Sequence, residues 1–148
     1  MSSRIGYTIA VVALATAAAA VAASEVRIKP GMWKFTRTVT SYSDRSTPSV
    51  RSGQPNSSTS CDHDGKGLLA EPRHSYCRFV EKSFTGGRVN ASEQCTKGGA
   101  TTTIRYNGRV SFEAFDITEK MTVADAKGAV VRQVETQFSA HWVGQCRS

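Results

Sequence analysis

The segment from residue 61 to residue 77 carries the side chains best suited to metal binding. It contains two thiols and two imidazoles, which are ligand types that zinc prefers: Cys61, His63, His74 and Cys77. Ten residues separate the two histidines, and the close cysteine pair of common zinc motifs is missing. These four residues are therefore weak candidates for a metal site, and the sequence predicts neither a metal nor another cofactor.

The same segment holds the one cluster of side chains that suggests catalysis. Two aspartates and two histidines form it: Asp62, His63, Asp64 and His74. A hydrolase needs a nucleophile, a base and an orienting group that meet in one pocket, and no histidine of this chain lies in a nucleophile motif. Acidic residues for paired-carboxylate chemistry are scattered along the chain: Glu71, Glu81, Glu93, Glu113 and Asp116. The sequence thus assigns no catalytic residue and does not predict an enzyme.

The four cysteines favour disulfides over a metal site. Cys61, Cys77, Cys95 and Cys146 are an even number in a chain that carries an export signal, so two bridges are expected. A hairpin with a three-residue loop at residues 85–87 would set Cys77 opposite Cys95 and leave Cys61 for Cys146. A shift of one residue in register would instead favour Cys61 with Cys77 and Cys95 with Cys146. The sequence leaves both pairings open.

The N-terminus is typical of a cleavable secretory signal peptide. Arg4 supplies a positive start, residues 8–22 form an uncharged apolar run, and small residues end it. Cleavage is predicted after Ala23, so that Ser24 begins a single domain over residues 24–148. The apolar run is shorter than the roughly 20 residues that a spanning helix needs. We expect a periplasmic or secreted protein that is not an integral membrane protein after cleavage.

The chain is basic, but its charges are dispersed. The formal net charge is +7, and loss of residues 1–23 removes only Arg4 from the positive side. Such a charge favours anionic surroundings. A nucleic-acid site needs a basic stripe with interleaved aromatic residues, and the basic residues here are spread along the whole chain. We do not expect nucleic acid as a partner.

Alternation of apolar and polar residues predicts a mainly β fold. Trp33, Phe35 and Val39 alternate with polar residues in the first predicted strand, residues 32–40. Further strands are predicted at residues 76–84, 88–95, 100–106, 109–115 and 129–142, with a variable piece at 119–123. The expected fold class is an antiparallel sheet of about six or seven strands, as a curved meander or a small barrel, disulfide-bonded and with at most one short helix.

Three connecting segments complete this prediction. Residues 41–60 are rich in Ser, Thr and Pro, and we expect a long loop there. Residues 67–71 are expected to hold one short helical turn, ended by Pro72. Asn107-Gly108 is the strongest turn signal in the chain, because both residues tolerate the positive φ of a two-residue hairpin.

Several short motifs resemble those of an exported bacterial family, the domain of unknown function 3617. Pro30-Gly31-Met32-Trp33-Lys34-Phe35 is similar to the Pro-Gly-Leu-Trp-Glu opening of that family. The chain also shares a cysteine after the first loop, one that opens a strand, one that closes the next strand, and a Gly-x-Cys ending: Cys61, Cys77, Cys95 and Gly144-Gln145-Cys146. The resemblance covers about residues 28–146. It implies an envelope or periplasmic location and no assigned activity.

These observations favour an accessory or interaction domain of the cell envelope, whose partner is an envelope protein. The alternative is a small binding module for an apolar or envelope ligand, lined by aromatic residues: Trp33, Phe35, Tyr106, Phe112, Phe138 and Trp142. A domain of this size needs the same residues for its core, so their presence alone does not show whether they line a ligand pocket. A hydrolase or a metal-binding protein that uses the residue 61–77 segment is the least supported hypothesis.

Overall fold

The computed structural model describes residues 27–47, 50–51, 53–65, 69 and 71–146. The predicted signal peptide over residues 1–23 and its cleavage site between Ala23 and Ser24 lie outside this part of the chain, as does most of the helical turn predicted at residues 67–71. Among the described residues, no helix has the length and hydropathy that crossing a membrane requires.

Eight antiparallel strands form one sheet. They are β1 (Gly31–Asp44), β2 (Val50–Arg51), β3 (Asn56–Asp62), β4 (Cys77–Thr85), β5 (Arg88–Lys97), β6 (Ala100–Val110), β7 (Ala114–Ala124) and β8 (Val130–Gly144). The strand order is β2-β1-β8-β7-β6-β5-β4, and β3 also pairs with β1. The predicted antiparallel sheet is therefore confirmed, as a meander from β4 to β8 that β1 extends. Within the described residues the two ends of the sheet, β2 and β4, do not pair with each other, so the sheet is not closed.

One face of the sheet carries the core. Its buried apolar side chains alternate along the central strands: Trp33, Val89, Ala91, Ile104, Tyr106, Val110, Phe115, Ile117 and Ala140. The register sets both Phe35 of β1 and Phe115 of β7 opposite Ala140 of β8. Because alanine is small, the two rings meet across it with their centroids 6.0 Å apart.

The segment predicted as a long loop, residues 41–60, is largely strand instead. β1 continues to Asp44, and β3 pairs along β1 from Gly31↔Asp62 to Arg37↔Asn56. The side chains of β3 are mostly exposed Ser and Thr, and they gave no apolar alternation to find. This edge strand has no buried apolar face. Its backbone hydrogen bonds to β1 hold it in the sheet instead.

The predicted hairpin at Asn107-Gly108 was wrong. Both residues lie inside β6, and the connection to β7 comes later, where the Ser111 and Ala114 backbones and the Ser111 hydroxyl bond to one another. A Cβ on Gly108 would lie 2.1 Å from the carbonyl oxygen of Asp116. The glycine is thus needed because two strands approach closely, and it does not make a turn.

Two disulfides join Cys77 to Cys95 and Cys61 to Cys146, which is one of the two pairings that the sequence left open. The β4–β5 turn has two residues, Gly86 and Gly87, and its register alone would set Cys77 opposite Thr96. A bulge at Val80 shifts the pairing by one residue and brings Cys77 opposite Cys95. Disulfides of this kind are consistent with an extracytoplasmic protein.

Candidate functional site

A cavity of about 300 Å³ lies against the core face of the sheet. Its apolar wall comes from β1, β7, β8 and the segment between β3 and β4: Phe35, Leu69, Phe115, Ile117 and Phe138. Phe35 and Phe138 are only partly buried, whereas Phe115 and Ile117 are 5% and 3% exposed. Strands on both sides of β8 thus face one space, which makes this face of the sheet concave.

Five polar side chains complete the lining: Glu71, which is exposed, and four that we call the cavity cluster, Arg73, Glu93, Tyr106 and Glu119. The pairing of β6 with β7 sets Tyr106 directly opposite Glu119. Glu93 lies on β5 opposite Ile104, one diagonal step from Tyr106. Glu93 is fully buried and Glu119 is 4% exposed, so two carboxylates stand in the core of a small domain.

Hydrogen bonds join every member of the cavity cluster. The Tyr106 hydroxyl donates to Glu93 Oε2 at 2.9 Å, and Arg73 Nε donates to the Tyr106 oxygen at 3.0 Å. The backbone N–H of Arg73 donates to Glu93 Oε1 at 2.7 Å, and Arg73 Nη2 forms an ion pair with Glu119. Buried charges need such partners, because an unpaired one loses its hydration without compensation.

Burial and charge shift two pKa values in this cluster. Burial raises the pKa of Tyr106 well above its usual value, and the hydrogen bond to Glu93 adds to the effect. Burial alone would lower the pKa of Arg73, but Glu119 and Tyr106 together outweigh it and the pKa of Arg73 is raised. Tyr106 is therefore neutral and Arg73 is charged at neutral pH.

The cavity cluster also fixes the segment that precedes β4 over the sheet. Arg73 binds Glu93 through its backbone and Glu119 through its side chain, so one residue of that segment contacts two strands. Farther along, the His74 carbonyl accepts from the Cys77 N–H, and the Tyr76 carbonyl accepts from the Thr96 N–H. The wall that this segment supplies is thus positioned by hydrogen bonds to the sheet.

The structure does not bring together the four residues of the least supported hypothesis, a hydrolase. No three of Asp62, His63, Asp64 and His74, all of which it describes, have ligand atoms within 4.8 Å of one another. Asp62 Oδ1 accepts from the backbone N–H groups of Asp64 and Gly65, which is a turn-forming role. The His74 ring stacks on Tyr76 with centroids 4.9 Å apart.

The weak metal candidates are also separated. Cys61 and Cys77 belong to different disulfides, and a disulfide sulfur does not offer zinc a thiolate. His63 Nε2 lies 3.3 Å from Cys61 Sγ, and the ligand group around them takes Cys146 as its third member. His74 and Cys77 do not join that group.

Three of the six aromatic residues predicted as a lining do line the cavity: Phe35, Tyr106 and Phe138. The other three do not: Trp33 is fully buried in the core, Phe112 is 56% exposed, and the Trp142 indole donates to the Pro30 carbonyl.

Sequence reasoning missed the cavity cluster, although a signal for it exists. Glu93 lies at the inward position between Ala91 and Cys95, and Glu119 lies at the inward position after Ile117. A charged residue at an inward-facing position of an alternating strand is a sign of a buried polar site.

Comparison with known proteins gives a family and no function. No curated protein matches the chain, and no solved structure does. One family model matches residues 28–146, which include every strand of the sheet, and its description is a protein of unknown function, DUF3617. The chain belongs to the DUF3617 family.

Proposed function

We propose that the chain is exported to the periplasm through a cleavable signal peptide and that its domain there binds a small, mostly apolar molecule in the cavity. This is the alternative that the sequence analysis gave to an accessory or interaction domain, a small binding module for an apolar ligand. The single observation that carries the proposal is the cavity of about 300 Å³ between the sheet and the segment that precedes β4.

The composition of the cavity wall supports a ligand that is mostly apolar. Five apolar side chains face the same space, and they come from parts of the chain as distant as Phe35 and Phe138. Ligand pockets in proteins are concave, mostly apolar, and fixed in orientation by a few polar groups. The volume falls at the lower end of the roughly 300–1,000 Å³ that such pockets span, which points to a small molecule.

Side chains around the cavity are packed differently from side chains inside the core. Protein cores leave few voids larger than a water molecule, because each void loses contacts. Trp33 and Phe115 obey this rule, since their rings stack with centroids 5.9 Å apart. Phe35 and Phe138 keep part of their surface open toward the cavity. Such a space lowers the stability of a small domain, and ligand binding explains why the domain retains it.

Fluorescence of the apolar probe N-phenyl-1-naphthylamine tests the binding. The full chain is expressed in a bacterium and recovered from the periplasmic fraction, where its intact mass checks for loss of residues 1–23. We expect saturable binding of one probe per chain, which Ile117→Phe weakens about tenfold or more by adding bulk to the wall. Phe112→Ala is the matched control, because Phe112 is exposed and lies outside the cavity.

Leu69→Asn provides a second variant in case Ile117→Phe does not fold. Leu69 has a φ of 65°, a left-handed conformation that asparagine tolerates better than leucine, so the change makes the wall polar without adding strain. Absence of saturable binding by the wild type overturns the proposal. So does binding that the folded cavity variants leave unchanged.

A further inference from the structure

The charges around the cavity are unequal. Three carboxylates and one guanidinium line it: Glu71, Glu93, Glu119 and Arg73. Tyr106 is a neutral hydrogen-bonding group, as its raised pKa indicates. With these charges the lining carries two more negative charges than positive ones. A low-dielectric apolar wall strengthens the effect of that excess on anything that the cavity binds.

The rest of the protein has the opposite sign. The whole chain has a formal net charge of +7, so its long-range field attracts anions and repels cations. At the cavity for which we propose a ligand, the charge of the lining is therefore opposite in sign to the net charge of the chain. A preference for cations at this place would come from the lining itself and not from the overall charge.

Arg73 does not offer a simple site for an anion. Its Nη2 pairs with Glu119, its Nε donates to Tyr106, and its backbone N–H donates to Glu93. A ligand carboxylate would have to displace or share the Glu119 carboxylate, which is 5% exposed. Because the Glu119 side chain is buried and already holds the guanidinium, an incoming carboxylate has to compete with it.

Glu71 lines the cavity and is exposed to solvent. It forms no ion pair with any residue in the described part of the chain. A primary ammonium group on a ligand can donate hydrogen bonds to this carboxylate while the alkyl chain of the same ligand lies against Phe35 and Phe138. The arrangement provides an apolar wall and a negative rim.

We infer that the molecule bound in this cavity is a cationic amphiphile, in which a short apolar chain carries an ammonium-like group. The inference rests on the proposed function, because it assigns a ligand class to the same cavity. Charge complementarity carries it: the lining has three carboxylates and one guanidinium, Arg73 is paired with Glu119, and Glu71 forms no ion pair with a described residue. A fatty acid anion and an uncharged alcohol are the alternatives that an experiment must exclude.

Three ligands with one alkyl chain and different head groups separate these cases: octylamine, octanol and octanoate. Isothermal titration calorimetry at physiological ionic strength measures the Kd of each for the exported chain. We expect octylamine to bind at least about tenfold more tightly than octanoate, with octanol between them. Binding by none of the three overturns the proposed function. Binding of octanoate or octanol as tightly as octylamine overturns the cationic ligand and leaves the cavity function standing.

Glu71→Gln locates the preference, with Glu113→Gln as its matched control. Both variants remove one exposed carboxylate and change the net charge equally, but Glu113 lies outside the cavity and is 58% exposed. We expect Glu71→Gln to weaken octylamine binding about threefold, which is the effect of one unit charge at several ångströms in a watery environment, and to lower the octylamine-to-octanoate affinity ratio by at least that factor. Glu113→Gln should leave the ratio unchanged. Equal effects of the two variants would assign the preference to net charge and overturn the inference.

Discussion

Two regions of the molecule use the same three kinds of side chain in different surroundings. The cavity cluster combines a tyrosine, an arginine and two carboxylates in the core. A second group, here called the margin cluster, combines them at the end of β1 and the β7–β8 turn: Tyr42, Asp44, Arg45 and Asp125. In both groups the tyrosine hydroxyl donates to one carboxylate and the arginine pairs with the other.

Burial separates the two clusters. Glu93 is fully buried and Tyr106 is 3% exposed, whereas the Arg45 side chain of the margin cluster is 64% exposed. The margin carboxylates also bind their own turns: Asp44 Oδ1 accepts from the N–H groups of Ser46 and Thr47. Both clusters join residues that are distant in sequence, but Asp44 of the margin cluster also shapes its own turn, whereas the cavity cluster lies against the core face of the sheet.

The pKa values follow this difference. The hydrogen bond from Tyr42, with those from Ser46 and Thr47, holds the pKa of Asp44 well below its usual 3.8. The backbone N–H of Ala129 and the Arg45 side chain lower the pKa of Asp125. In the cavity, burial instead raises the pKa of Tyr106 and keeps the phenol neutral. Hydrogen bonding controls the margin cluster, and burial controls the cavity cluster.

Removal of one carboxylate should give the largest contrast between the clusters. Glu93→Ala leaves the buried Tyr106 hydroxyl and the Arg73 N–H without an acceptor, and we expect it to lower the free energy of unfolding by about 3 kcal/mol. Asp44→Ala should cost much less, because water reaches the groups that it frees. Urea titrations followed by tryptophan fluorescence measure both changes.

Glu93→Gln keeps the comparison testable if Glu93→Ala does not fold. The amide keeps the size of the side chain and one acceptor oxygen, so we expect a smaller but still resolved loss of stability. The comparison fails if the Glu93 variants cost no more than Asp44→Ala.

Removal of one hydroxyl should give the next largest effect. Tyr106→Phe takes the donor from Glu93 and the acceptor from Arg73, at an expected cost of roughly 1–2 kcal/mol. Tyr42→Phe removes the bond to Asp44 at a place that water reaches, so its urea midpoint should match that of the wild type. A midpoint shift in Tyr42→Phe equal to that in Tyr106→Phe would show that burial does not separate the two clusters.

The same contrast explains how much the sequence could predict. The alternation of Trp33 and Phe35 with polar residues predicted a strand of the antiparallel sheet, because a strand with one buried face leaves a period of two. The β3 strand left no such trace, since its Ser and Thr side chains are exposed and only its backbone pairs with β1. Gly108 gave a false turn signal, because close strand approach and a tight turn both select glycine.

The cavity could not be derived from the sequence, since it depends on how far the sheet bends. Glu93 and Glu119 are inward-facing by alternation, but their meeting through Tyr106 and Arg73 depends on the order β5-β6-β7 and on the path of the segment before β4. The disulfide pairing was open for a similar reason. One bulge at Val80 decides whether Cys77 faces Cys95, and no turn residue marks that position.

The smallest expected effect is a change of stability with acid pH, and it comes from Asp44 of the margin cluster. The pKa of Asp44 in the folded chain lies well below its usual 3.8, so the folded state favours the charged carboxylate more than the unfolded state does. This contribution to stability is fully present above pH 3.8 and is lost as the pH falls through the folded pKa. Asp44→Asn lacks it at every pH. We therefore expect thermal melts of wild type and Asp44→Asn to differ slightly at neutral pH and to converge as the pH falls below 3.8. If the difference in melting temperature between the two proteins stays constant through the acid range, the charge of Asp44 contributes nothing to stability. The hydrogen bonds of its side chain would then act independently of that charge.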